Sequence, residues 1–300
     1  MKIIIIGSKG FIGSHCLKFF SQYYEVWGCD VVLDYNEKKY FYIEPTESDF
    51  SFIFVNNKFD VCINCSGAAN VSFSLEMPLN DFQLNTLNVF KILDAIRKFN
   101  PNCKFINLSS AAVYGNPKKL PIREDEILNP VSPYGYHKKM AEMICEEFYR
   151  FWGIKTISLR IFSAFGPGLK KQIFWDISQK LRNNSDILEL FGTGNETRDF
   201  IYIDDLIRVI EIVILKADFN GSVINAANGM QIKISEIAEI TKNQISPNAR
   251  ISFNGINRKG DPLYWEADVS NIMNLGYKSN ISIKKGITKY IKWLKENGSV

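Results

Sequence analysis

The strongest constraint on the fold sits in the first thirteen residues. Four consecutive isoleucines, Ile3 to Ile6, follow Lys2 and run directly into Gly7-Ser8-Lys9-Gly10-Phe11-Ile12-Gly13. A short continuous β-branched run reads as a strand buried on both faces, which is the habit of parallel sheets covered by helices. The glycines are spaced G-x-x-G-x-x-G, and a helical pattern follows over residues 11–22. One glycine allows a tight turn, a second lets backbone approach a pyrophosphate, and a third lets helix and strand pack closely. The free N–H groups at the start of such a helix favour an anion. An ordinary glycine turn has the same composition, so it is the strand–turn–helix context that carries the reading.

The next segments keep the same rhythm. Strand patterns at 25–30, 60–67, 104–110 and 155–162 alternate with helical patterns at 79–99 and 136–152. This predicts an α/β fold, a Rossmann-type doubly wound parallel sheet with helices on both faces. Asp30 ends the second strand, where a carboxylate would hold an adenosine ribose and repel a 2′-phosphate, which favours NAD over NADP. After Gly166-Pro167-Gly168 the rhythm loosens, and helical patterns at 172–183, 204–217, 234–245 and 283–296 are separated by Asn- and Gly-rich loops. A smaller mixed α/β substrate-binding domain is expected over 166–300. The NAD-binding domain is expected over 1–165, with 197–227 returning to it.

Composition narrows the function. With 46% hydrophobic and 23% charged residues in 300, the chain can build a real core. A net charge of +4 suits an anionic ligand but gives neither a nucleic-acid footprint nor an acidic tail. No apolar run approaches the roughly 20 residues of a membrane span, and the N-terminal run reads as a strand, not a signal peptide. Six scattered cysteines suit a reducing cytosol, so a cytoplasmic location is expected. Cys62 and Cys65 form a C-x-x-C with no second pair and no nearby histidine, and read as strand residues. His15 and His137 are the only histidines, too few for a histidine-rich centre, and no metal is expected.

The chemistry points to Ser132-Pro133-Tyr134-Gly135-Tyr136-His137-Lys138. Tyr134 and Lys138 are four apart and share a face if a helix begins near Tyr134. A tyrosine titrating near 10 is a poor base at neutral pH. An ammonium about 4 Å away, at an effective dielectric of about 20, would favour the phenolate by about 4 kcal/mol, or roughly three pKa units. A nicotinamide cation would push the same way. Tyr136 and His137 are expected on other faces, packed or in solvent. Ser109 and Ser110 end the strand at 104–110, at the sheet edge where ligands bind in such folds.

At these residues the sequence resembles the extended short-chain dehydrogenase/reductase family, in its nucleotide-sugar epimerase/dehydratase branch and with a UDP-hexose 4-epimerase-like pattern, over nearly the whole chain. The resemblance implies that Gly7, Gly10, Phe11, Ile12, Gly13, Asp30, Asp49, Ser66, Gly67, Ala68 and Asn85 bind NAD together with Tyr134 and Lys138. It implies that Ser110, Tyr134 and Lys138 are catalytic. Segment 65–78 looks like the family's loop after the fourth strand and brings in Ser74 as a substrate contact. Segment 159–168 resembles L-R-x-F-N-x-Y-G-P, with Ser163 in place of the usual Asn. Segment 192–206 puts Arg198 on the nucleotide diphosphate. Segment 258–268 adds Arg258 to that diphosphate and Asp261 to the nucleotide ribose. Planar guanidinium forks suit phosphate oxygens. Trp265 falls where the family places a gate near the sugar's C2 substituent, or is simply core. Lys171 lines the sugar site, or belongs to a solvated helix start. A homodimer through the helices near 80–99 and 136–152 is also implied.

The residues after Ser110 discriminate within the family. Its dehydratases carry acidic residues there, whereas this chain has Ala111-Ala112, which cannot move a proton. Two readings remain. One is a nucleotide-sugar 4-epimerase, in which Tyr134 takes the C4 hydroxyl proton and the 4-keto sugar is reduced again from its other face. The other is an NAD(P)H-dependent reductase of nucleotide-4-keto-sugars, using the same Ser-Tyr-Lys set. Asp30 leans towards NAD and so towards the epimerase. A non-catalytic NAD-binding regulatory protein is a third reading, opposed by the intact Ser-Tyr-Lys set.

Overall fold

The computed structural model describes residues 1–45, 47–256, 260 and 262–300. Its strands are β1 (Lys2–Ile6), β2 (Glu25–Asp30), β3 (Tyr40–Tyr42), β4 (Val61–Asn64), β5 (Lys104–Ser110), β6 (Thr156–Ile161), β7 (Ser163–Phe165), β8 (Ile187–Leu190), β9 (Thr197–Tyr202), β10 (Val223–Ala226), β11 (Gln231–Lys233) and β12 (Arg250–Phe253). Seven of them form one sheet in the order β3-β2-β1-β4-β5-β6-β10, and every neighbouring pair is parallel. The chain winds outward from β1 to β3, then returns to β4 and winds the other way. The carboxyl ends of β1 and β4 therefore flank a crevice at the point where the winding reverses. This is the doubly wound fold that the alternating pattern predicts.

The isoleucine run shows why the sheet is covered twice. Side chains alternate faces along a strand, and Ile3 and Ile5 join one core cluster while Ile4 and Ile6 join another. The first cluster takes in helices Phe11–Phe20, Ile203–Lys216 and Ile283–Glu296; the second takes in Asn88–Phe99 and Pro133–Trp152. The C-x-x-C pair is split by the same alternation. Cys62 lies in the second cluster and Cys65 packs against the first, so the two face opposite sides of the sheet. All six cysteines are free thiols. Among the described residues, no helix is long and apolar enough to cross a membrane.

Two smaller sheets follow the loosened rhythm, β7-β9-β11 and the parallel pair β8-β12. Helices Gln172–Asn183 and Ile234–Ile245 pack with β8 through Ile177, Leu181, Leu188, Leu190 and Ala238. The pattern at 79–99 departs from one regular helix. Pro78–Phe82 and Asn88–Phe99 are joined by a π-helical turn, Gln83–Leu87, a feature that often marks functional sites.

Behind the carboxyl end of β5 lies a buried ion pair. Arg160 Nη2 is 2.8 Å from Glu142 Oε2, and Nη1 donates to Tyr114 Oη at 2.9 Å and to the Glu124 carbonyl at 2.8 Å. Ser109 Oγ donates to Glu142 Oε1 at 2.5 Å. The network ties β5, β6 and the helix Pro133–Trp152 together. Removing one partner leaves a charge with no counter-charge in low dielectric. Arg160→Met is therefore expected to lower stability by about 3–5 kcal/mol in urea unfolding, and Arg160→Met/Glu142→Leu to recover most of that loss. A loss within experimental error in the single variant would contradict this reading.

Candidate active site

The crevice between β1 and β4 is shaped by glycines. Gly7 has φ +81°, and a Cβ there would lie 2.7 Å from the Cys65 carbonyl carbon. A Cβ on Gly13 would lie 2.0 Å from the Gly7 carbonyl oxygen, so only glycine lets the helix Phe11–Phe20 start this close to β1. Gly10 caps that helix without a side-chain hydrogen bond, and a Cβ on it would meet only the Gly7 oxygen, at 3.2 Å. The first N–H groups of the helix are thus open to an anion. Phe11 and Ile12 pack half-buried against the core beneath them.

The flanking polar residues are held in place. Asp30 Oδ2 accepts from Lys9 N and Oδ1 from Val31 N, both at 2.8 Å, which fixes the carboxylate beside the turn. Asp49 Oδ1 accepts from Ser51 N at 2.8 Å. Ser66 Oγ donates to Asn64 Oδ1 at 2.6 Å. Gly67, with φ +108°, packs so tightly that a Cβ would lie 2.4 Å from Asn85 Oδ1, and Asn85 Nδ2 donates to the Ala68 carbonyl at 3.0 Å. An open helix start, a fixed carboxylate and a close backbone loop are the parts a dinucleotide requires, and these residues fit NAD.

The helix Pro133–Trp152 completes the site. Ser132 caps it, its Oγ accepting from Gly135 N at 3.2 Å, and Pro133 fills the first position, where its missing N–H costs nothing. A Cβ on Gly135 would lie 2.6 Å from the Ala112 carbonyl oxygen. The helix therefore seats directly on the turn that follows β5. Tyr134 and Lys138 are both buried there. The Tyr134 phenol lies beside Ser110, close enough for the serine hydroxyl to favour its phenolate, and Ser110 Oγ accepts from Ala112 N at 3.2 Å. Lys138 Nζ donates to the Leu108 carbonyl at 2.9 Å.

The electrostatics correct one expectation. Burial pushes the Tyr134 phenol up to about 12, against a downward pull from the neighbouring Ser110 hydroxyl. Lys138 does not bring it near neutrality. Its ammonium is turned to the Leu108 carbonyl, and burial lowers Lys138 itself to about 8. Desolvation outweighs the Coulomb gain assumed for an exposed pair. His137 also does more than pack: its Nδ1 lies 2.5 Å from Oδ2 of the fully buried Asp81. Asp81 is not among the site residues read from the sequence. Its spacing of four from Asn85, on the buried face of a helix, is the one signal that could have pointed to it.

The substrate side is partly assembled. Lys171 Nζ reaches the Ala69 carbonyl at 3.2 Å. The residue as a whole is exposed, but burial around its amine pushes it below the usual lysine value. The neighbouring Gln172 holds φ +64°, a strained conformation for a residue with a side chain. Arg198 Nη1 donates to the Thr197 carbonyl at 2.9 Å, and its guanidinium lies 5.6 Å from the Trp265 ring. Trp265 is buried, donates from Nε1 to the Gly115 carbonyl at 3.1 Å and meets Phe162 edge-on, so it is anchored in a core cluster. Ser163 opens β7 and is half-buried. Ser74 is fully buried and donates to the Val71 carbonyl at 2.7 Å, inside its own helix. Arg258 and Asp261 lie outside the described residues.

Comparison with known proteins places this geometry. The profile of the NAD dependent epimerase/dehydratase family matches residues 3–227. The chain is similar to a UDP-glucose 4-epimerase of Lactobacillus helveticus, 29% identical over 330 residues, covering 99% of this chain and 98% of that protein. It superposes on the UDP-glucuronic acid 4-epimerase of Bacillus cereus, in complex with UDP-glucuronic acid and NAD, with a TM-score of 0.88, 27% identity and coverage of 99% and 100%. A UDP-N-acetylglucosamine 4-epimerase of Methanobrevibacter ruminantium, in complex with UDP-N-acetylmuramic acid, gives 0.87, 25%, and 99% and 98%.

Burial of Lys138 has a measurable consequence. The folded protein releases this proton near pH 8, whereas the unfolded chain holds it to about 10.5. Between those values the unfolded state binds more protons, so the stability of the cofactor-free protein rises with pH. A gain on the order of 2–3 kcal/mol is expected in urea unfolding between about pH 8 and pH 10, and Lys138→Met should flatten it. An equal rise in that variant would show that the ammonium is not the cause.

Proposed function

Because the chain belongs to the NAD dependent epimerase/dehydratase family, we propose that it is a nucleotide-sugar 4-epimerase with Tyr134 as its base. The observation that carries this reading is the seat of the buried Tyr134 beside Ser110 at the carboxyl edge of the sheet, with Ala111-Ala112 following Ser110. Bound NAD supplies the hydride acceptor and donor, and its nicotinamide cation favours the Tyr134 phenolate that burial alone opposes. Ser110 donates a hydrogen bond to the C4 oxygen of the sugar. Tyr134 takes the C4 hydroxyl proton as the C4 hydrogen leaves as hydride. When the 4-keto sugar presents its other face, Tyr134 returns the proton. Lys138 holds positive charge behind the tyrosine. Ala111 and Ala112 offer no proton, so nothing at that position drives dehydration.

The other assignments follow as parts of the same proposal. Gly7, Gly10, Phe11, Ile12 and Gly13 hold the pyrophosphate of NAD, and Asp30 holds its adenosine ribose. Asp49 faces the adenine, and the loop Ser66, Gly67 and Ala68, braced by Asn85, closes on the nicotinamide side. Residues 1–165 and 197–227 form the cofactor domain, and 166–300 the domain for the nucleotide sugar. Arg198 and Arg258 bind the diphosphate and Asp261 the nucleotide ribose, while Ser163 and Lys171 face the sugar. Trp265 forms a fixed wall under Arg198. The named relatives are 4-epimerases, which favours this reading over a 4-keto reductase. They act on sugars that differ in their substituents, so C4 and the UDP moiety are what they share. The six free thiols fit a cytoplasmic setting. A second copy of the chain is proposed to cover Leu79, Phe90, Tyr136, Met140 and Met143, exposed on helices Pro78–Phe82, Asn88–Phe99 and Pro133–Trp152.

Two predictions test the reading. Purified protein given a panel of UDP-, dTDP- and GDP-hexoses, with no added cofactor, should produce the C4 epimer of one of them by NMR. Tyr134→Phe should lower kcat by about 10²–10⁴-fold while NAD binding is kept. Consumption of NADH or NADPH with 4-keto sugars, and no epimer, would move the assignment to the reductase. For the dimer, sedimentation should give about twice the 34.4 kDa chain mass, and Met140→Glu/Met143→Glu should return the monomer. A wild-type monomer would remove that part of the proposal.

A further inference from the structure

Beside the base lies a buried carboxylate that the proposed reaction does not use. Asp81 is fully excluded from solvent. Its Oδ2 lies 2.5 Å from His137 Nδ1, and its Oδ1 accepts from Asn85 Nδ2 at 3.0 Å. Both partners belong to the site. His137 immediately precedes Lys138 and stands one helical turn from Tyr134, so all three share a side of the helix. Asn85 stands in the π turn Gln83–Leu87, and its amide also donates to the Ala68 carbonyl at 3.0 Å, in the loop beside the glycine turn. Thr86 Oγ1 donates to the His137 carbonyl at 2.9 Å, a second tie between the π turn and the catalytic helix. A chain of hydrogen bonds therefore runs from the cofactor loop through Asn85 and Asp81 to the helix that carries the base.

We propose that Asp81 and His137 form a proton-linked positioning pair, which holds the catalytic helix to the cofactor loop and sets the electrostatic field at Tyr134 and Lys138. This rests on Tyr134 being the base. A carboxylate without a counter-charge opposes a nearby phenolate and favours a nearby ammonium. Asp81 acts in this sense on both residues, raising Tyr134 and raising Lys138. Facing a carboxylate, which only accepts, the imidazole donates through Nδ1. When its other nitrogen is also protonated, the pair is neutral as a whole and its opposition to the phenolate falls. Without that proton, the pair carries one negative charge.

Among the described residues, the other groups that face the pair are few. Asp81 comes from the helix Pro78–Phe82, and the other side chains recorded against His137 from that helix and the π turn are uncharged: Phe82 meets its ring edge-on at 5.5 Å, and Thr86 bonds its carbonyl. On the catalytic helix the charged neighbours are Lys138 and Glu142, and Glu142 is committed to Arg160 and Ser109. The remaining groups acting on Lys138 are the thiols of Cys65 and Cys145.

The test uses the NAD-loaded protein and conservative variants. His137→Asn keeps a donor near the carboxylate but can never carry a charge. Asp81→Asn keeps the shape but removes the charge. Two quantities are read against pH: the acid limb of kcat, and the near-ultraviolet phenolate absorbance that is lost in Tyr134→Phe. His137→Asn should move both towards higher pH by about half a unit or more. Asp81→Asn should move both towards lower pH, and the double variant should fall between. Lower activity or a lower Tm with neither quantity displaced would overturn the proposal and leave the pair a structural brace. If one single variant does not fold, the sign of the shift in the other still decides. The readings separate cleanly, because activity retained in Tyr134→Phe would sink the base assignment itself, whereas an inactive Tyr134→Phe with unmoved limbs would sink only the pair.

Discussion

The contact on which the site depends is the seating of the helix Pro133–Trp152 on the turn after β5. Gly135 makes it possible, since any Cβ there would sit 2.6 Å from the Ala112 carbonyl oxygen. The contact places Tyr134 against Ser110 and points Lys138 at the Leu108 carbonyl, with both side chains out of water. Burial then dictates the chemistry. It pushes the phenol up and the ammonium down, so the protein alone keeps Tyr134 protonated, the unreactive form of the base we propose. Positive charge must be added before Tyr134 can accept a proton, and NAD carries a cationic ring. On this account binding of the cofactor and activation of the base are one event.

The same helix explains the polar groups buried around it. Glu142 meets Arg160 and Ser109 on the side of β6, and His137 meets Asp81 on the side of the π turn. Each pair satisfies a carboxylate that would otherwise be costly to bury. Each also ties the catalytic helix to a different part of the fold: Arg160 to the central sheet, Asp81 through Asn85 to the cofactor loop. A group proposed to take the C4 hydroxyl proton as hydride leaves the same carbon must be held to within about half an ångström, and bracing from more than one direction serves that.

Much of this was legible in the sequence because it rests on local patterns. The isoleucine run, the glycine spacing and the strand–helix alternation depend on near neighbours, and they gave the doubly wound sheet and the place of its crevice. The pairing of Tyr134 with Lys138 on one face followed from helical spacing. What was not legible depends on three-dimensional surroundings. Burial, not the neighbouring lysine, governs Tyr134, because desolvation is set by the packing of Gly135 on Ala112, residues far apart in sequence. The π turn is one residue out of helical phase, too small a departure to disturb the apolar pattern of 79–99. Asp81 reads as an ordinary helix residue until His137 is placed against it. Short strands such as β3 and β10 carry too few residues to show a period.

The most direct measurement of the central claim follows the hydrogen on the sugar. A UDP-hexose carrying deuterium at C4 is incubated with the purified protein, with no cofactor added, and the product is read by NMR. If Tyr134 moves only the hydroxyl proton and the hydride returns to the carbon it left, the C4 epimer forms with its deuterium kept at C4. Loss of that deuterium to solvent, or no epimer from any nucleotide hexose, would contradict the account.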